Sequence, residues 1–232
     1  MKSLKIISLL LVSSFVFAGG VEDDPILAKV MGEVEAYNLD NGDRVNTWDV
    51  ESWIGKDLHK VWLKIESKEV DGVVEDQEFQ LLYSKAIAPF WDIQFGVRKD
   101  IEPRPQKEWG VVALKGLTPY LFETDASLFL GKNGQAAIRL KTEYEYMFSQ
   151  KLILSPDIEM NIYNKDDTET DIGKGLSDIS MGIRLRYELH REFAPYLGII
   201  WNKKYGNTAD MADVDGEITE DFQTVIGLRF WF

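Results

Sequence analysis

Residues 224–232 read Thr-Val-Ile-Gly-Leu-Arg-Phe-Trp-Phe and decide the fold. In an extended strand, successive side chains point to opposite faces. Ile226, Leu228 and Phe230 therefore share one face, whereas Gly227 and Arg229 share the other. A strand that alternates bulky apolar residues with small or charged ones is typical of a transmembrane β-barrel, in which one face meets lipid and the other faces the lumen.

The same alternation recurs from about residue 30 to the last residue. Each segment is about ten residues long, which is enough to cross a bilayer as a tilted strand. The sequence therefore predicts an all-β fold, a transmembrane antiparallel β-barrel of about twelve strands. A ten-strand barrel, in which the first two segments form a periplasmic or plugging hairpin, is the alternative. The predicted strands are 29–38, 46–55, 58–67, 77–87, 90–99, 108–117, 120–130, 136–147, 151–163, 177–189, 195–204 and 221–232.

The connections between these segments alternate in length. Short turns such as 55–57 and 88–89 alternate with longer connections such as 68–76, 164–176 and 205–220. Outer-membrane barrels have short periplasmic turns and longer outer loops, so we expect both termini to be periplasmic. A soluble β-sandwich also alternates, but its apolar face packs on a second sheet. The bulky aromatic face and the strongly charged opposite face favour the barrel.

The first residues have the features of a secretory signal. Lys2 and Lys5 precede the apolar run 6–17, and Ala18 offers a small residue at the cleavage position. We predict a signal peptide over 1–18, a short periplasmic segment over 19–28 and the barrel over 29–232. The chain contains no Cys, so it has neither a disulfide nor a thiolate metal site.

Composition restricts the possible functions. The net charge of −13 argues against nucleic-acid binding and favours attraction of cations. A barrel hydrolase would need a nucleophile and a His near the outer loops. The two histidines, His59 and His190, both fall at the short-turn end of their strands. We therefore predict no enzymatic activity.

Several ordered stretches resemble the copper resistance protein B outer-membrane proteins. They include residues 48–55 (Trp-Asp-Val-Glu-Ser-Trp-Ile-Gly), 82–92, 161–167, 184–188 and 191–196, and the resemblance extends from about residue 30 to the C-terminus. It implies a protein of the cell outer membrane that serves copper tolerance by binding copper or moving it across that membrane. Many family members carry a Met- and His-rich segment before the barrel, whereas residues 19–29 contain neither residue.

The resemblance also implies partners. We expect outer-membrane lipid around a monomeric barrel, a transiently bound copper ion and no organic cofactor, with a periplasmic copper carrier or oxidase as a further partner. A general cation-attracting pore, or a structural barrel without copper specificity, is the alternative function.

Carboxylates on the lumen-facing side are the candidate metal contacts, because oxygen ligands suit Cu(II) better than Cu(I). Interleaved Lys and Arg residues allow a second interpretation, in which the same carboxylates form structural ion pairs. The loop candidates could hold a cation beside Glu159 or cap strand ends through Asx turns. Met31 and His190 are possible ligands at the periplasmic rim. The lumen candidates are Asp49, Glu51, Asp92, Glu123, Asp125, Glu143, Glu145 and Glu159, and the loop candidates are Asp166, Asp167 and Asp178.

Overall fold

The computed structural model describes residues 24–39, 42–190 and 192–232. The predicted signal peptide and the first residues of the predicted periplasmic segment lie outside these ranges. The strands are β1 Leu27–Asn38, β2 Arg44–Lys56, β3 His59–Val70, β4 Val73–Ala88, β5 Trp91–Glu102, β6 Lys107–Leu117, β7 Glu123–Gly131, β8 Ala136–Glu143, β9 Tyr146–Met147, β10 Leu152–Tyr163, β11 Gly175–Tyr187, β12 Phe193–Lys204 and β13 Glu220–Trp231.

The strands form one closed antiparallel barrel. Strands that follow one another along the chain pair with each other, except that β8 and β9 both pair with β10, and β1 also pairs with β13, which closes the sheet. Because β1 and β2 belong to the wall, the alternative with a separate N-terminal hairpin is wrong. Twelve strands were predicted, and twelve cross the barrel because β8 and β9 form a single one.

Pro156 explains why that strand is divided. Tyr144 N–H donates to the Pro156 carbonyl at 3.0 Å, but proline has no N–H to donate back. The register is continuous across the interruption, since Glu143 pairs with Asp157 and Tyr146 pairs with Leu154. The predicted segment 136–147 is therefore one strand with a local gap in its ladder.

The hairpin between β3 and β4 differs from the prediction. The expected outer loop over 68–76 is instead the end of β3, a two-residue turn and the start of β4. Asp71 and Gly72 both have positive φ, as a type I′ turn requires. An Asp-Gly pair favours a tight hairpin, but the prediction from connection lengths did not use this signal.

The two faces of the wall have the predicted polarity. Leu81, Phe95 and Leu197 point outward, and each leaves between 44% and 62% of its surface exposed. Lys64 and Arg98 point inward and are buried. An apolar outer belt around a charged interior is the arrangement of a transmembrane barrel.

The interior also contains an apolar cluster that the charge pattern did not predict. The register of β6, which the sequence left open, places Trp109 and Val111 inside. Met31, Trp53 and Tyr163 pack against this cluster, which fills part of the lumen on the β3–β8 side. Its members are Trp62, Leu82, Trp109, Val111, Ala113, Phe129 and Ala137.

The described ends of the chain lie at the rim of the short turns. Lys56, which ends β2 at that rim, forms an ion pair with Asp24, and Phe232 N–H donates to the Val30 carbonyl. The opposite rim carries the longer connections and the helix α1, Gly206–Asp215. Among the described residues, no helix is both long enough and apolar enough to cross a membrane.

Inward glycines make room for large side chains, and this supplies a test of the fold. A Cβ at Gly227 would overlap the ring of Tyr196 on the neighbouring strand. We expect Gly227→Val to destabilise the barrel by about 1–3 kcal/mol through overpacking. Urea unfolding of the protein refolded into vesicles measures the change. Gly110→Val is the control, because a Cβ there approaches nothing closer than 3.8 Å; equal stability of the two variants would contradict the packing.

Candidate functional site

One wall of the lumen carries a row of carboxylates. In the register of β1 to β5, Glu33 lies beside Asp49, Asp49 beside Glu66, Glu66 beside Glu78 and Glu78 beside Asp100. Directly opposed residues on neighbouring strands have Cβ atoms about 4.5–5.5 Å apart, where like charges repel. We call these five residues the acidic row. Such a row requires cations from elsewhere in the barrel.

Arg139 and Lys141 of β8 reach the acidic row across the lumen. Arg139 Nη2 lies 3.0 Å from Glu78 Oε2 and its Nη1 lies 3.4 Å from Glu66 Oε2. Lys141 Nζ donates to Glu66 Oε1 at 2.7 Å. Since β8 lies four strands from β4 and five from β3 along the sheet, these ion pairs join opposite walls.

Arg98 of β5 contributes a third cation to the acidic row. Its Nη2 lies 2.8 Å from Glu78 Oε2, and its Nε donates to Asp100 Oδ1 at 2.7 Å. The guanidinium also lies 4.5 Å from the centre of the Phe129 ring. Arg98 therefore connects the acidic row with the apolar cluster.

A second set of ion pairs crosses the lumen at another level. Lys64 Nζ donates to Asp125 Oδ2 at 2.6 Å, and Lys115 Nζ donates to Glu51 Oε2 at 2.7 Å. Each pair joins strands four apart, β3 to β7 and β2 to β6. Lys64 also lies 3.4 Å from Glu51. The two predicted ligands Glu51 and Asp125 are therefore held by two lysines.

The other half of the lumen is bridged from β11 and β13. Arg229 lies 3.2 Å from Glu33 on β1 and donates to Glu143 Oε1 on β8 at 2.8 Å. Arg184 on β11 donates to Glu35 Oε1 on β1 at 2.6 Å. Ion pairs therefore also cross the half of the lumen that is enclosed by the strands from β8 through β13 to β1.

Three further predicted ligands also have cationic neighbours. Asp92 lies 3.4 Å from Lys60 and accepts a hydrogen bond from Ser84 Oγ at 2.9 Å. Glu145 pairs with Arg186 at 2.6 Å, and Glu123 lies 3.9 Å from Lys115.

Asp49 differs from the other lumen candidates. It lies in the acidic row between Glu33 and Glu66. Across the described ranges, no ion pair within 4.0 Å and no side-chain hydrogen bond reaches its carboxylate. Lys141, which is close enough to interact electrostatically with Asp49, is paired with Glu66 and Glu159. Among the predicted lumen ligands in the described ranges, Asp49 is therefore the one whose carboxylate has neither an ion pair nor a side-chain hydrogen bond.

Asp178 and Glu159 are joined by one amide. Asn161 Nδ2 donates to Asp178 Oδ1 at 2.8 Å and to Glu159 Oε1 at 3.1 Å. Glu159 also lies 3.3 Å from Lys141. The structure therefore brings these two predicted residues together, below the outer loop.

Asp166 and Asp167 lie higher, within that loop. Asp166 Oδ1 accepts hydrogen bonds from Lys174 N–H at 2.7 Å and Asn207 Nδ2 at 2.9 Å, and these bonds lower the pKa of Asp166. Asp167 accepts from Lys107 Nζ and from Gln135 Nε2. Burial raises the pKa of Asp167, but the hydrogen bond and charge of Lys107 outweigh burial and hold it below its ordinary value.

The two rim candidates lie on different elements of the barrel. Met31 faces inward between Glu51 and Trp231 and packs against the apolar cluster. His190 lies in the short turn after β11 and forms a bridge with Phe193. Within the described part of the chain, no three His, Asp or Glu side chains are arranged to hold a metal ion.

Sequence reasoning did not propose four members of the acidic row, Glu33, Glu66, Glu78 and Asp100, as metal ligands. All four have lumen parity, but the row appears only when the strands are set in register. The tight turn between Lys56 and His59 fixes the register of β2 and β3 and would have shown Asp49 beside Glu66.

A closed twelve-strand barrel with an apolar belt and a charged lumen is an outer-membrane β-barrel protein. Two solved porins share this fold. The NanC porin gives a TM-score of 0.56 at 11% identity, covering 88% of this chain and 99% of that one. The KdgM porin gives 0.51 at 9% identity, covering 87% and 98%. At such low identity the likeness concerns the fold alone.

The family model "Copper resistance protein B precursor (CopB)" matches residues 26–232. The chain therefore belongs to the copper resistance protein B family and is located in the outer membrane. It is 41% identical over 203 residues to copper resistance protein B of Escherichia coli, covering 88% of this chain and 68% of that protein. A homologue from Pseudomonas syringae pv. tomato is 37% identical, with coverage of 88% and 69%.

Proposed function

We propose that this protein supports copper tolerance by offering Cu(II) a series of transient carboxylate contacts across the outer membrane. Its membership of the copper resistance protein B family supports the link to copper. The single observation that carries the proposal is Asp49, a lumen carboxylate within an acidic row and without a cation of its own.

The chemistry of the lumen suits passage. Carboxylate oxygens suit Cu(II), whereas Cu(I) prefers sulfur. Conduction requires sites that bind an ion strongly enough for entry and weakly enough for release. Asp49 and the Asp178–Glu159 pair provide such oxygen contacts within the lumen. The Met31 thioether and the His190 imidazole are proposed contacts nearer the periplasmic rim.

The proposed role is non-enzymatic, and the barrel acts as a monomer surrounded by lipid. On the periplasmic side a copper carrier or oxidase would exchange the ion at the rim of the short turns. No organic cofactor takes part.

A structural barrel without copper specificity is the second candidate function. The ion pairs across the lumen favour it, because Lys64–Asp125, Lys115–Glu51 and Arg139–Glu78 join walls four strands apart. Bridges of this kind hold a barrel rigid whether or not ions pass through it.

Complementation of a deletion strain tests the proposal. Deletion should make cells copper-sensitive, and the native gene should restore growth. Asp49→Asn should return roughly half or less of the tolerance, because a neutral amide attracts a divalent cation far less than a carboxylate does. Asp213→Asn is the matched control, since Asp213 is exposed on α1.

Equal amounts of each variant are verified by heat-modifiable migration on gels. Unchanged copper tolerance after deletion, together with altered permeability to cations in general, would favour the structural barrel or a general pore over copper handling.

A further inference from the structure

The outer loop over 164–174 is one of the six outer connections of the barrel, and it contacts three of the others. It leaves β10 and returns to β11, but its side chains reach the connections β5–β6, β7–β8 and β12–β13. We call this loop, together with Lys107, residues 132–135 and α1, the outer cap.

On one side the loop is held by Lys107 and by the β7–β8 connection. Lys107 Nζ donates to Asp167 and, at 2.7 Å, to Thr170 Oγ1. Gln135 Nε2 donates to Asp167 Oδ2 at 2.7 Å. Lys165 Nζ donates to the Asn133 carbonyl at 2.7 Å. Asp167 is therefore the point at which both neighbouring connections meet the loop.

On the other side the loop is held by the first turn of α1. Asn207 donates to Asp166, and Gly173 N–H donates to Thr208 Oγ1 at 2.8 Å. A Cβ at Gly173 would overlap the backbone of Thr208, so only glycine permits this close approach. Thr208 Oγ1 in turn lies 3.1 Å from Ser177 Oγ at the start of β11.

These contacts attach the loop along the outer rim of the barrel from β6 to β13. Lys107 begins β6 and α1 precedes β13, and β7, β8, β10, β11 and β12 lie between them in the ring. Ser177, which lies beside Asp178, is only 2% exposed beneath the cap.

The loop is held by side-chain contacts rather than by a strand ladder. At its start Asn164 N–H donates to the Ala136 carbonyl at 3.0 Å, and beyond that its backbone forms a bridge between Asp167 and Ile172 that is internal to the loop. The Asp167 side chain is 11% exposed and faces the charge of Lys107, so this pair is shielded from solvent. Removing one partner of a shielded ion pair leaves the other charge uncompensated.

We propose that residues 164–174 form an outer gate and that Asp167 is the positioning residue that keeps it closed. Opening the gate exposes Ser177, Asp178 and the lumen carboxylates below to the outside. The inference rests on the proposed function only for the identity of the ion that passes the gate. The gate itself is defined by access to the lumen from outside.

The absence of Cys makes access measurable with single thiols. Ser177→Cys provides a thiol beneath the cap, and a small neutral maleimide is added outside intact cells. We expect slow labelling in this background. Adding Asp167→Asn should raise the rate at least about tenfold, because local opening follows the loss of the charged contact. Asp171→Asn is the matched control, because it makes the same charge change at an exposed residue of the same loop that takes no part in the contacts of Asp167 with Lys107 and Gln135, and it should leave the rate unchanged.

Two further variants test the gate at a second thiol position and by exchanging the charges of the ion pair. Ser180→Cys, an inward position below Asp178 on β11, repeats the measurement without disturbing the Thr208–Ser177 contact. Exchanging the charges, with Lys107→Asp and Asp167→Lys together, should restore slow labelling if the pair itself closes the gate.

Equal labelling rates with and without Asp167→Asn at both thiols would overturn the gate, as would fast labelling in the Asp171→Asn control. All variants must retain heat-modifiable migration, which separates gate opening from loss of the barrel. Copper tolerance is not read in this experiment, so failure of the proposed function would leave its outcome unaffected.

Discussion

Arg139→Gln should destabilise the barrel by roughly 3–5 kcal/mol, the range observed when one partner of a buried ion pair is removed. Arg139 is the cation shared by Glu66, Glu78 and Glu159. Glutamine keeps much of the side-chain length but leaves those carboxylates facing one another with only Lys141 and Arg98 to balance them. The free energy of unfolding in urea, followed by tryptophan fluorescence in vesicles, measures the loss.

Lys132→Gln is the control for this substitution. Lys132 pairs with Glu108 on the surface, where both side chains are more than half exposed, so we expect almost no change in the free energy of unfolding. A loss of unfolding free energy of similar size in both variants would mean that water screens charges in the lumen as well as it does on the surface, and that the lumen ion pairs contribute little to stability. A loss confined to Arg139→Gln supports the bridged lumen.

Replacing Lys64 and Lys115 together by alanine should increase single-channel conductance severalfold and raise cation selectivity. These lysines bridge walls that are four strands apart, and their removal widens the passage while leaving Glu51 and Asp125 uncompensated. A lumen lined by unpaired carboxylates attracts cations and repels anions. Planar bilayer recordings with a salt gradient give both quantities.

Lys56→Ala with Lys151→Ala is the matched control, because both lysines lie at the exposed short-turn rim. It removes the same charge without touching the lumen bridges, and conductance should stay at the native level. A native barrel that already conducts as an open pore, unchanged by the lumen substitutions, would contradict the closure of the passage by these ion pairs.

Much of the barrel was determined by the sequence itself. Alternation along each strand is a local property, and it fixed the polarity of the wall and the positions of nearly all strands. The terminal stretch ending in Phe232 is indeed the last strand, and it pairs with β1. Local signals also account for the errors: Asp71-Gly72 makes a tight hairpin where length alone predicted a loop, and Pro156 interrupts one ladder.

The lumen-facing carboxylates were predictable as a class, since parity places them inside. Their roles were not, because a strand pattern carries no information about which residue lies across the lumen. Lys64 meets Asp125 and Arg139 meets Glu78, and each pair is separated by 61 residues along the chain. Only closure of the sheet sets these distances and leaves Asp49 without a cation.

The outer cap and the apolar cluster depended on the tertiary structure for the same reason. Asp166 and Asp167 are ordinary loop acids in the sequence, but in the structure they contact Asn207, Lys107 and Gln135 from three other connections. Trp109 lies in β6, which is apolar on both faces, so the sequence did not show which of those faces meets the lumen. Local chemistry therefore determined the wall of this protein, whereas the contents of its lumen and the contacts of its outer loop follow from an arrangement that exists only once the ring is complete.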